Sequence, residues 1–113
     1  MAVNELKFSF TPTSGAFKKI QQEWAHAGVV GSGDLEILLT NDPQSADVLF
    51  DVKTKVIGYD GVWQAVLTRF AQRHNLGGML FEINDNAATP AVVIKRLEQV
   101  IAAGGGLETG GTA

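Results

Sequence analysis

From Ala46 to Val56 the sequence alternates between polar and apolar residues over a long run. Val48, Phe50, Val52, Thr54 and Val56 fall on one side, with Asp47, Asp51, Lys53 and Lys55 on the other. Successive side chains of an extended strand point to opposite faces, so this pattern predicts a strand with one dry face and one wet face. Such a strand needs neighbours in a sheet and a second layer over its apolar side. The same period recurs in Glu5 to Phe10, where Leu6, Phe8 and Phe10 share a face, and Thr11-Pro12 closes that run. It returns from Leu35 to Thr40, with Leu35, Ile37 and Leu39 inward, and from Met79 to Asn84, with Met79, Phe81 and Ile83 inward. Asn41-Asp42-Pro43-Gln44-Ser45 reads as a strong turn between two of these strands.

Two stretches carry the helical period instead. From about Gly61 to His74, residues Val62, Trp63, Val66, Leu67 and Phe70 form one stripe, with Asp60 placed to cap it. Arg73 and His74 suit the negative pole of that helix, and Gly77-Gly78 is expected to end it. A second helix opens at Thr89-Pro90, a capping residue followed by the one residue whose missing N–H costs nothing there. Val93, Leu97, Val100 and Ile101 form its buried stripe, Lys95, Arg96, Glu98 and Gln99 its wet side, and Gly104-Gly105-Gly106 its stop. Between Ser14 and Ala27 the signals conflict, because Phe17, Ile20 and Trp24 stand at helical spacing. The reading there is a short helix near Gly15–Gln22, then a strand from about Trp24 to Val30. At 113 residues the chain supports one core. One domain over residues 1–103 is expected, followed by a flexible Gly-rich tail over 104–113. The fold class is α+β: two layers, a mainly antiparallel β-sheet with two helices packed on one face.

Composition removes several functions. A net charge of −3 supplies no basic field for a nucleic-acid backbone. With no cysteine there is no thiolate chemistry and no Cys-based zinc site, and His26 and His74 lack metal-ligand spacing. No segment resembles a signal peptide or reaches membrane length, so a cytoplasmic protein with no membrane insertion is expected.

The residues with chemical interest lie between two of the strands. Val29-Val30 leads into Gly31-Ser32-Gly33-Asp34, and Leu35 begins the next strand at once. Gly accepts positive φ and Ser and Asp bond their own backbone, so the stretch predicts a hairpin turn. The Ser32 hydroxyl would stand on an exposed knuckle, unscreened by Gly31 and Gly33. Turn chemistry alone accounts for a serine there, so a nucleophile and an ordinary turn residue both remain open readings. A hydrolase elbow would need a strand–turn–helix context that is missing. A phosphate loop fails as well, because no GxGxxG or Walker pattern follows and Asp34-Leu35-Glu36 is acidic and strand-like. Trp63 fits a core position on its stripe, Trp24 is a possible interface aromatic, and Asp42 and Asp85-Asn86 are ordinary turn formers.

Gly28-Val29-Val30-Gly31-Ser32-Gly33-Asp34-Leu35-Glu36 resembles the acyl carrier (delta) subunit of bacterial malonate decarboxylase. Trp63-Gln64-Ala65 is similar to the same family, as is Ala88-Thr89-Pro90-Ala91-Val92-Val93 through Arg96-Leu97-Glu98-Gln99, so the likeness runs from about Ala27 to Ile101. The stretch from Phe10 to Trp24, the Asp85-Asn86-Ala87 approach and the Gly-rich tail depart from the family's pattern. The resemblance implies a carrier with no catalytic residue and no metal. By match to the motif, Ser32 would bear 2'-(5''-phosphoribosyl)-3'-dephospho-CoA, a phosphoribosyl-dephospho-coenzyme-A group, through a phosphodiester, with Gly31, Gly33 and Asp34 as the surrounding motif. Its thiol would hold acetyl or malonyl thioesters. The implied partners are an acyl-CoA-transferase-like subunit, the decarboxylase subunits, a prosthetic-group-loading transferase and a malonyl-loading enzyme. The competing expectation is an unmodified α+β binding or regulatory module in which Ser32 is only a turn residue.

Overall fold

The computed structural model describes residues 3–13, 16–42 and 44–110. Nine elements follow in order: β1 (Asn4–Phe10), β2 (Lys18–Ile20), β3 (Trp24–Gly28), β4 (Asp34–Asn41), β5 (Val48–Thr54), α1 (Asp60–His74), β6 (Met79–Asn86), α2 (Pro90–Ala103) and β7 (Leu107–Thr109). Five strands form the main sheet in the order β1-β5-β6-β4-β3, and β2 pairs with β7 in a separate small sheet. Among the described residues, the pairings between named strands are antiparallel except β5 with β6, which run parallel. A parallel pair needs a long crossover, and α1 supplies it. The expected α+β class, with a mainly antiparallel sheet and two helices, is what the chain adopts.

The alternating strands bury the faces that their patterns assign. Val48, Phe50, Val52, Leu35, Ile37, Leu39, Met79, Phe81 and Ile83 are all buried, as is Thr54. The centre of this layer is aromatic: Phe50 stacks on Phe81 at 4.6 Å and takes the edge of Phe10 at 5.8 Å. From above, α1 contributes Trp63, Leu67, Phe70 and Ala71, and α2 contributes Val93, Leu97, Val100 and Ile101. Each fully buried side chain of this size is worth about 1.5–3 kcal/mol. The start of α2 is as its sequence implies, with the Thr89 hydroxyl accepting from the Val92 N–H at 3.3 Å and Pro90 in the first turn.

Several expectations give way. No helix forms within the described part of Gly15–Gln22; Ser14 and Gly15 lie outside the described residues, and Lys18–Ile20 is strand β2. Ile20 is fully buried, its Cβ 2.9 Å from where a Cβ on Gly104 would stand, and the carbonyl of Gly104 accepts from Gln21 and Gln22. These contacts span more than eighty residues and override the local helical spacing. The partner strand comes from the stretch expected as a tail: Leu107–Thr109 forms β7, and residues 111–113 lie outside the described set. Strand β3 stops at Gly28, leaving Val29 and Val30 exposed in the connection. Tyr59, not Asp60, is the N-cap of α1, and Asp60 is its first residue, favourable to the helix dipole without a capping bond. Asn75, in the left-handed conformation, ends α1 ahead of Gly77-Gly78. Of the turn near Asn41–Ser45, Pro43 lies outside the described residues, while the Asp42 carboxylate accepts from the Gln44 N–H at 3.1 Å.

Candidate functional site

Ser32 sits in the five-residue connection between β3 and β4, at one pole of the molecule. Register defines that pole. Asp34 faces Asn86, Leu35 and Thr54 both face Asp85, and Asn4 faces Thr54, so β4 and β1 begin where β5 and β6 end. The connection is held by its own backbone. Gly31 N–H donates to the Val29 carbonyl at 3.0 Å, and Asp34 N–H donates to the Gly31 carbonyl at 3.0 Å. The second bond closes a β-turn over Gly31–Asp34. Gly33 has φ 75° and Ser32 does not take positive φ, which is the type II pattern with glycine where it is demanded. Gly33 N–H also donates to the Asn86 carbonyl at 2.8 Å, tying the turn to the end of β6.

The side chains then fix the turn to α2. Asp34 receives two bonds from Arg96, Nε to Oδ1 at 3.0 Å and Nη2 to Oδ2 at 2.7 Å, a bidentate fork. Asp34 Oδ1 also accepts from the Leu35 N–H at 2.7 Å, and Arg96 Nη1 donates to Gln99 at 2.7 Å. The Arg96 hydrogen bond, followed by the Leu35 amide, holds the Asp34 carboxyl below its ordinary value, and Asp34 in turn raises Arg96. Gly28 completes the mount. At φ 81° a Cβ there would lie 2.1 Å from the Leu35 carbonyl oxygen and 3.3 Å from Arg96 Cδ, so only glycine lets the strand ends close under the arginine.

The tip itself is open. Ser32 is exposed, and its hydroxyl has no hydrogen-bond partner among the described residues. A Cβ on Gly33 would meet nothing within 4 Å, and one on Gly31 only Val29 Cγ2 at 3.8 Å. Thus Gly31, Ser32, Gly33 and Asp34 form one unit: an anchored base at Asp34 and a cleared tip at Ser32.

The remaining candidates lie elsewhere. His26 stands on the open face of the sheet, with Nε2 3.1 Å from Glu36 Oε2, and Asn84 donates to the other Glu36 oxygen at 3.1 Å. His26 is engaged there, not with Ser32. His74 was expected as a helix-end cation, but its ring lies edge-on to Phe70 at 4.8 Å, and burial first, then the Arg73 charge, lowers its pKa. Trp63 is core at 6% exposure, and Trp24 is 62% exposed on the sheet's open face. Asp85 is buried and accepts from the Thr54 hydroxyl at 2.8 Å and from the Ala87 and Ala88 amides. Among the described residues no three His, Cys, Asp or Glu cluster to hold a metal ion, and no helix is long and apolar enough to cross a membrane. Sequence reading placed Arg96 on the solvated side of α2 and missed its hold on Asp34. The available signal was the acid directly after the turn, but its partner is 62 residues away.

Comparisons with known proteins converge on one group. The family model described as malonate decarboxylase delta subunit (MdcD), an acyl carrier protein, matches residues 22–103. The malonate decarboxylase acyl carrier protein of Acinetobacter calcoaceticus is 49% identical over 74 residues, covering 66% of this chain and 72% of the relative. That of Xanthomonas axonopodis pv. citri is 43% identical over 96 residues, covering 85% and 90%. A chain in the crystal structure of a Pseudomonas malonate decarboxylase hetero-tetramer in complex with malonate superposes with a TM-score of 0.70 at 35% identity, covering 88% of this chain and 96% of that one. The chain belongs to the malonate decarboxylase delta-subunit family of acyl carrier proteins.

Proposed function

We propose that this chain is the carrier subunit of a malonate decarboxylase, with Ser32 as the attachment point of the phosphoribosyl-dephospho-coenzyme-A group. The observation that carries the proposal is the contrast inside one turn: a free, exposed hydroxyl at the tip and a doubly bonded carboxylate at the base. A serine that must enter a loading enzyme's active site needs clearance on both sides, and Gly31 and Gly33 supply it. It also needs a fixed position, which the Asn86 carbonyl and the Arg96 fork provide. The residues therefore fit the group. When bound, it supplies the thiol that a chain without cysteine lacks, and with it a thioester for acetyl and malonyl units.

The chain's own part is to present and position. Ser32 Oγ would hold the group through the phosphodiester, and with His26 held by Glu36 the hydroxyl proton would pass to a base of the loading transferase. The subunit acts as a non-catalytic carrier. Its partners are the acyl-CoA-transferase-like and decarboxylase subunits, a loading transferase, and a malonyl-loading enzyme in systems that use one. The working compartment is the cytoplasm, where those acyl-coenzyme-A chemistries operate.

Intact mass with peptide mapping over Gly28–Leu39 tests this directly. Protein from its native host, or co-expressed with loading enzymes, is expected to carry the prosthetic group's mass on Ser32. Ser32→Ala is expected to keep its fold and lose all loading. An unmodified mass after co-expression would return Ser32 to an ordinary turn residue and favour an unmodified binding module.

A further inference from the structure

A cavity of about 410 Å³ opens between the N-terminal ends of α1 and α2, within the range of small-molecule sites. Its wall is mainly apolar, from Val56, Trp63, Val66, Ala88, Pro90 and Val93. Asp85 is the one carboxylate in that wall, and both its oxygens are already taken by Thr54 and by the Ala87 and Ala88 amides. Among the described residues no cation lines the cavity. A charged ligand would lose its hydration and find no partner. A slender neutral chain bearing amides and a thioester would lose little, and the hydroxyls of Tyr59 and Thr89 at the wall can meet its polar atoms.

The cavity lies at the pole that carries Ser32. Its lining residues Asp85 and Ala87 flank Asn86, whose carbonyl holds the Gly33 amide at 2.8 Å. Val93 in its wall and Arg96, which grips Asp34, are one helical turn apart on α2. Exposed apolar side chains gather around the same pole: Val29 and Val30 beside Ser32, and Ile57, Tyr59 and Val62 at the start of α1.

We infer that this cavity is the resting site for the neutral, acetyl-thioester end of the arm on Ser32. The inference rests on the carrier reading above. The tether makes a weak site effective, since a short flexible link gives an effective concentration on the order of millimolar. An arm end with millimolar intrinsic affinity then spends about half its time inside, and its thioester hydrolyses about twofold more slowly than a free one. The charged ribosyl and nucleotide part stays in solvent, where a transferase can grip it and draw the end out.

Trp63 lines the cavity and Trp24 is the second of two tryptophans, so Trp24→Phe leaves a single reporter. In that background, S-acetyl-pantetheine titrated into unloaded protein should shift Trp63 emission saturably in the millimolar range. Acetyl-loaded protein, verified by mass, should show the same shift without added ligand. Val66→Phe and Ala88→Leu, which fill the space from two sides, should each abolish the shift and return hydrolysis to the free-thioester rate; a thermal melt shows which of them folds. Unchanged emission in both experiments, or hydrolysis equal in the loaded parent and the filled variants, would overturn the inference. Failure of the carrier reading is seen separately, as an unmodified mass, and the titration of unloaded protein still reads the cavity.

Discussion

Two glycine pairs in this chain do opposite work. Around Ser32, the missing side chains of Gly31 and Gly33 leave largely open space. At the corner before β6, a Cβ on Gly77 would lie 2.3 Å from the Ala46 carbonyl oxygen and 2.8 Å from Phe17 Cγ, and one on Gly78 2.8 Å from Phe17 Cε1. There the missing side chains are filled from within, because Phe17 lies across the backbone. Gly78 also donates to the Ala46 and Asp47 carbonyls, so the corner is a packed joint. Glycine leaves open space in one region and close contact in the other, and identical letters conceal the difference.

Substitutions should separate the two roles. Ser32→Ala has the largest expected effect, complete loss of prosthetic-group loading by intact mass with an unchanged melting curve. Next, Gly77→Ala should destabilise by about 1–3 kcal/mol in urea unfolding, the usual cost of overpacking, while loading at low temperature persists. Gly33→Ala should cost about 1–2 kcal/mol, because its φ of 75° strains any residue with a Cβ, although the space is free. Gly31→Ala should lie within about 0.5 kcal/mol of the parent yet slow loading by crowding the hydroxyl. If Gly31→Ala were to unfold the chain, or Gly77→Ala to leave it untouched, the contrast would collapse.

The smallest effect concerns the base of the turn. Asp34 titrates below its ordinary value of 3.8 because Arg96 holds it, so the unfolded chain binds the proton first as the pH falls. The pair's stabilisation is therefore intact above that ordinary value and is lost as pH drops through the folded-state pKa. Arg96→Leu should raise the Asp34 carboxyl pKa in a carbon-detected NMR titration and flatten the loss of stability in acid. An unmoved pKa would show that the Leu35 amide, not Arg96, governs the carboxylate.

What could be read in advance was what local chemistry determines. The alternation of Val48, Phe50 and Val52 names a buried face without reference to any partner, and Thr89-Pro90 satisfies a helix start within one turn. The exposed turn at Ser32 was legible for the same reason, since it is closed by residues two and three apart. Ile20 was misread because its partners are Gly104 and Met79, whose proximity no window of sequence contains. The three residues of β7 are too short for a period, and Tyr59 caps α1 without a side-chain bond that would mark it. Arg96 belongs with these, as its position on α2 is solvated until the hairpin folds back against it.

The pairing of Lys18 with Thr109 has a consequence in time. Their side chains meet across 91 residues, so β2 has no partner strand until nearly the whole described chain has left the ribosome. Loop closure of that length forms late. The hairpin that bears Ser32 closes over only a few residues and can form long before. Synthesis thus proceeds from a finished hairpin tip to an unfinished rear, and β7 is the last latch among the described elements.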